Sequence, residues 1–188
     1  DLYFECPRLH EYVVSVGSAM PSLANAKFSN ARISTTHFYN RLQVSLANGA
    51  SLGKHIDNTM TNLRKITFLT YLNEGWEPSH GGYLRMYANG TGPDANDATS
   101  SILAGVDEDG HTFLDIAPLA GRVIAFWSDA MVHAVQPSFL PSEDSHRWVL
   151  TVWMATEDQA FLHFDPVTAH RHWPDTYPDP NRNDGTRS

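Results

Sequence analysis

Residues 122–136 read Arg-Val-Ile-Ala-Phe-Trp-Ser-Asp-Ala-Met-Val-His-Ala-Val-Gln. A run of β-branched and aromatic residues, Arg122 to Trp127, gives way to a short polar turn and then to a second run, His133 to Gln136. Both runs are too short for a helix, and Val, Ile, Phe and Trp suit a pleated, half-buried surface. The stretch predicts two strands joined by a tight connection, with His133 opening the second and facing inward.

The same pattern recurs on either side, at Arg41 to Leu46, Lys65 to Leu72, Tyr83 to Tyr87, Thr112 to Ile116 and Arg147 to Met154. Turn signals separate these runs: Asn48-Gly49, Gly81-Gly82, Gly121 and Pro137. Many short strands with almost no helical pattern between them predict a mainly β fold, a double-stranded β-helix or jelly roll, rather than a parallel α/β sheet. Ahead of the strands, Leu9, Tyr12, Val13, Val16 and Met20 recur at helical spacing, so Leu9 to Leu23 predicts a supporting helix that stops at Pro21. The expected plan is one domain over 1–174, with helical support over 1–40, a jelly-roll core over 41–156 and a flexible tail over 175–188. Segments 88–111 and 137–146 are expected to be loops.

At 188 residues and 41% hydrophobic, the chain can bury one sizeable core. No apolar run approaches the roughly 20 residues of a membrane-spanning helix, so a soluble protein without a membrane partner is expected. The net charge of -8 argues against nucleic acid as a partner, because phosphate-binding surfaces are basic. Cys6 is the only cysteine, which excludes an intrachain disulfide and a thiolate zinc cluster and suits the cytosol or nucleus. The chain begins at Asp1 rather than Met, which leaves room for a targeting segment ahead of it.

Within this frame, His55-Ile56-Asp57 sets an imidazole and a carboxylate two residues apart. On an extended segment both project from one face, about 7 Å apart along the strand, and one metal ion can take both. His133 is the candidate third ligand. Two histidines and one carboxylate form a facial triad that leaves positions open for a bidentate cosubstrate and dioxygen. The pair alone is weak, because among 10 histidines such spacing arises by chance. A second pair, His163-Phe164-Asp165, lacks a later strand-borne partner and reads as structural, with His170 and His172 in a Pro-rich tail. The acidic run Asp107-Glu108-Asp109-Gly110 lacks the alternating carboxylates of a calcium loop and reads as a solvated turn.

Arg147 lends the first pair its weight. It opens the strand Arg-Trp-Val-Leu-Thr-Val-Trp-Met, on which Arg147, Val149, Thr151 and Trp153 share a face. An arginine directed into a barrel is costly unless paired, and a ligand carboxylate is its natural bidentate partner. Thr151 could add a hydrogen bond.

Six ordered segments then carry a family resemblance: His-Ile-Asp-Asn at 55–58, Tyr-Leu-Asn-Glu-Gly-Trp at 71–76, Gly-Gly-Tyr-Leu-Arg at 81–85, Phe-Trp-Ser-Asp at 126–129, His-Ala-Val-Gln-Pro at 133–137, and Arg147 with Thr-Val-Trp at 151–153. Over residues 43–156 the chain resembles the 2-oxoglutarate-dependent prolyl hydroxylases, the oxygen-sensing protein prolyl hydroxylases of animals above all. The resemblance implies Fe(II) on His55, Asp57 and His133, with 2-oxoglutarate and O2 as cosubstrates and ascorbate as reductant. Arg147 would take the distal carboxylate of 2-oxoglutarate with help from Tyr71 and Thr151, and Trp153 would line the substrate pocket. The implied reaction hydroxylates a prolyl residue in a protein or peptide and releases succinate and carbon dioxide. Ser45 and Leu52 stand where those relatives carry pocket tyrosines, so specificity is expected to differ.

The alternatives are the same chemistry on a free amino acid or other small molecule, and a metal-binding jelly-roll module without activity, for which zinc would serve as well. Arg147 separates them, since a zinc site has no use for an inward guanidinium. A nucleic-acid demethylase would place a second arginine where this chain has Trp153, and Asp57 leaves no vacancy for the halide of a halogenase.

Overall fold

A computed structural model of the chain describes residues 2–28, 30–87, 101–139, 142 and 146–182. Two helices, α1 (Leu2–Glu5) and α2 (Pro7–Lys27), precede nine strands. These are β1 (Ile33–Leu46), β2 (Ala50–His55), β3 (Arg64–Tyr71), β4 (Leu84–Tyr87), β5 (Ile102–Val106), β6 (Thr112–Ile116), β7 (Val123–Trp127), β8 (His133–Ser138) and β9 (His146–Thr156), followed by helix α3 (Pro166–His172). One sheet has the order β1-β9-β3-β7 and the other β2-β8-β4-β6-β5, with every paired strand antiparallel. This is the jelly roll that the strand pattern predicted, and the site lies between the sheets.

Strand β3 shows why the layers form. Its outward residues Ile66 and Phe68 pack with Val13 and Val16 of α2 and with Leu150, Val152 and Met154 of β9 in one core cluster. Its inward residues Leu69 and Tyr71 join Leu84, Phe126 and Val149 in a second cluster facing the site. The two-residue period of a strand thus divides β3 between a support layer and a functional layer.

Several expectations need correction. The helix does not stop at Pro21 but continues to Lys27 with Pro21 buried inside it, since burial of Val13, Val16 and Ala24 against the sheet outweighs one lost backbone hydrogen bond. Helical support therefore ends well before residue 40: the Asn25 side chain bonds both the N–H and the carbonyl of Ile33, and β1 starts there. Within segment 88–111, Ile102–Val106 is a strand that completes the second sheet by pairing with β6, while 88–100 lies outside the described residues.

The other expected loop, 137–146, gives Pro137 and Ser138 to β8 and His146 to β9, and most of the remainder is outside the described residues. At the C-terminal end, His170 and His172 belong to α3 rather than to a tail. Asp165 caps that helix with side-chain bonds to the N–H groups of Val167 and Thr168, and Pro166 occupies its first turn. Tyr177 and Thr176 bond back to the Trp173 carbonyl, so the expected tail at 175–188 begins with an ordered turn. No helix among the described residues is long and apolar enough to cross a membrane.

Candidate metal and cosubstrate site

Strand β2 ends at His55 and β8 begins at His133, and the two residues are register partners. Asp57 follows two residues after His55. The Nε2 atom of His55 lies 3.5 Å, and that of His133 3.8 Å, from Asp57 Oδ1. A donor atom from each residue lies within 4.8 Å of the others, close enough to share one ion. Each imidazole donates its Nδ1–H to a backbone carbonyl, His55 to Gly53 at 2.8 Å and His133 to Met131 at 3.0 Å. Those bonds fix the tautomer that leaves Nε2 with a lone pair for a metal.

The second oxygen of Asp57 is held from behind. Thr67 Oγ1 donates to Oδ2 at 2.5 Å, Trp153 Nε1 donates to it at 3.2 Å, and Ser128 Oγ stands 2.8 Å behind Thr67. Burial works against the Asp57 charge, but His55, His133, Thr67 and Trp153 together hold its carboxyl well below the usual range. Burial, reinforced by His55, brings His133 down to about 4. Burial also opposes the charge on His55, yet its bonds to Asp57 and Gly53 prevail and raise it. Near neutrality the triad therefore offers an ionised carboxylate and a neutral His133, as metal ligation requires.

Arg147, Val149, Thr151 and Trp153 all line the same cleft of about 120 Å³, opposite His55, Asp57 and His133. Arg147 is 3% exposed, and among the described residues no carboxylate pairs with it. Its Nε donates to the Gly82 carbonyl at 2.7 Å and its guanidinium carbon lies 5.1 Å from the Tyr71 ring. Two buried hydroxyls near it, Tyr71 and Ser138, meet no partner at good hydrogen-bond geometry among the described residues, and the Tyr71 hydroxyl interacts with the Arg147 guanidinium itself. Burial pushes the Tyr71 phenol up, which keeps it a donor. A buried guanidinium beside buried hydroxyls is a cradle for a carboxylate, and the donor set at the other end suits Fe(II). The residues therefore fit both groups.

Gly82 makes the cradle possible. It has φ +68°, and a Cβ there would come within 2.5 Å of Ser138 Oγ and 2.8 Å of Arg147 Cδ. Only glycine tolerates both the backbone and the approach.

Two expected roles change in detail. Thr151 donates its hydroxyl proton to Gln43 Oε1 at 2.7 Å, so that proton is not free for a ligand. Trp153 lines the cleft as expected but also supports Asp57, which its place on the inward face of β9 could have suggested. The second His-x-Asp pair is structural: His163 Nδ1 contacts the ammonium of Lys65 at 2.9 Å, and Asp165 caps α3. That lysine pairs with Asp129 at 2.7 Å, both side chains being fully buried. The acidic run is only partly the solvated turn expected: Asp109 is exposed, but the Asp107 side chain is largely buried, 3.0 Å from Lys54 Nζ and 3.4 Å from His111 Nδ1.

Residues 36–155 match the 2OG-Fe(II) oxygenase superfamily, and the chain belongs to it. Its cofactors are accordingly Fe(II), 2-oxoglutarate and O2. The chain is 33% identical over 114 residues to the hypoxia-inducible factor prolyl hydroxylase of Caenorhabditis elegans, which covers 60% of this chain and 12% of that protein. It is 33% identical over 108 residues to human prolyl hydroxylase EGLN3, covering 56% of this chain and 35% of that one. The match thus spans about a third or less of these relatives' lengths. Among solved structures, a prolyl 4-hydroxylase from Phytophthora capsici aligns with TM-score 0.60 and 27% identity over 83% of this chain and 45% of that one. A Trichoplax adhaerens prolyl hydroxylase, in complex with a hypoxia-inducible factor peptide fragment, aligns with TM-score 0.58 and 26% identity over 79% and 57% of the two chains.

Proposed function

We propose that the protein is a 2-oxoglutarate-dependent dioxygenase that hydroxylates a prolyl residue in a protein or peptide and releases succinate and carbon dioxide. In this reading His55, Asp57 and His133 hold Fe(II), and Arg147 and Tyr71 bind the distal carboxylate of 2-oxoglutarate. The observation that carries it is the buried Arg147, which among the described residues pairs with no carboxylate, at one end of a cleft whose other end holds the triad. Bound iron, with 2-oxoglutarate and O2, supplies the oxidising power.

The chain's own residues orient and shield. Gly53 and Met131 set the imidazole tautomers, while Thr67 and Trp153 turn one Asp57 oxygen toward the histidines. Arg147 and the Tyr71 hydroxyl hold the cosubstrate's far end, and Leu69, Leu84 and Val149 keep the cleft walls apolar. The named activity of the relatives supports a prolyl substrate. The test is turnover of a proline-containing peptide library with Fe(II), ascorbate and 2-oxoglutarate, read by mass spectrometry. A gain of one oxygen on proline is expected. Succinate formed only with free amino acids or other small molecules would reassign the substrate.

A further inference from the structure

Each donor lining the cleft can be followed to its partner. The Thr67 proton goes to Asp57, the Trp153 N–H goes to Asp57, and the Thr151 proton goes to Gln43. Both histidines spend their N–H on the backbone. Besides Arg147, two lining side chains hold donors that meet no partner among the described residues, the Gln43 amide nitrogen and the Ser45 hydroxyl. Both sit on β1, but at different levels. Ser45 is the register partner of Arg147, at the distal end of the cleft, whereas Gln43 pairs with Val149 and leans further along to bond Thr151. Across β9, Thr151 is level with Leu69 and Trp153 with Thr67, the support of Asp57. Gln43 is therefore the uncommitted neutral donor nearest the metal half of the cleft.

The keto-acid end of 2-oxoglutarate must enter that half beside the Asp57 carboxylate, where like charge opposes it and Arg147 is already engaged at the other end. We infer that the Gln43 amide nitrogen binds the carboxylate at the keto-acid end of 2-oxoglutarate, with Thr151 as the positioning residue that pins the amide by its oxygen. The inference rests on the proposed dioxygenase reading. It gives Thr151 a role one step removed from the ligand, and it lets a neutral donor hold the metal-side carboxylate beside Asp57.

The test uses Mn(II)-loaded protein and calorimetric titration with two probes, 2-oxoglutarate and oxalate, the latter carrying the metal-binding end without the distal carboxylate. Gln43→Leu is expected to weaken both probes about tenfold or more, as loss of a hydrogen bond to a charged group does. Arg147→Ala is expected to weaken 2-oxoglutarate and spare oxalate. Gln43→Glu retains an acceptor for Thr151 but replaces the amide donor with charge, so it should weaken both probes at unchanged melting temperature. A Glu variant that binds like wild type would reduce Gln43 to a structural prop and overturn the inference. So would a Leu variant that loses 2-oxoglutarate but keeps oxalate. Wild-type protein that takes up Mn(II) but neither probe would overturn the dioxygenase reading itself.

Discussion

The indole nitrogen of Trp153 lies 3.2 Å from Asp57 Oδ2, the oxygen turned away from the two histidines. Together with Thr67 it fixes which carboxylate oxygen faces the ion. Support of this kind is typically worth 10- to 100-fold in metal affinity. Thr67→Val and Trp153→Phe should each weaken Fe(II) binding by about tenfold, and the double variant by more. Competition with a chelator measures this. Unchanged affinity in both single variants would mean that Asp57 is oriented by its backbone alone.

Gly82 touches neither the metal nor, in this account, the cosubstrate, yet its bare Cα faces Arg147 and Ser138. Gly82→Ala should displace Arg147 and raise the dissociation constant for 2-oxoglutarate at least tenfold, while metal affinity stays at the wild-type level. Titrations of the two ligands on the same variant separate these effects.

Leu150 is fully buried between α2 and the sheet, on the face of β9 opposite Thr151. Leu150→Ala leaves a cavity there and should cost about 3 kcal/mol of stability. Urea denaturation checks it: the midpoint falls while the slope is retained.

His172 lies against His111, with ring centroids 4.2 Å apart. Burial first, then His111, Lys54 and Arg171, bring its pKa down to about 4, with Asp107 opposing them. As pH falls below the ordinary histidine value of 6.5, the unfolded chain takes up a proton that the folded chain refuses until about 4. Stability should therefore decline with acidification across that window. His172→Phe, which keeps the ring contacts with Tyr87 and Trp173, should flatten the decline in melts between pH 7 and pH 4.5.

What could be read before the fold was known follows physical cost. A strand's two-residue period puts His55 and Asp57 on one face, and the expense of burying Arg147 announces a ligand carboxylate. Gln43 carried no such signal: a glutamine on a strand is unremarkable until the register of β1 against β9 brings it to Thr151. Strand β5 hid in a segment rich in Gly, Ala and Ser because its support comes from pairing with β6 rather than from its own residues. Helix α3 has a readable start, an Asp at the cap and a Pro in the first turn, but at seven residues it is too short to show an apolar period.

The central claim is that the triad and Arg147 serve one reaction. The most direct test is succinate formation from 2-oxoglutarate with Fe(II), ascorbate and O2, comparing wild type with His133→Ala and Arg147→Ala. Wild type should form succinate and both variants should lose it, the second regaining part of its rate at high 2-oxoglutarate. Succinate formation that survives both substitutions would contradict the account.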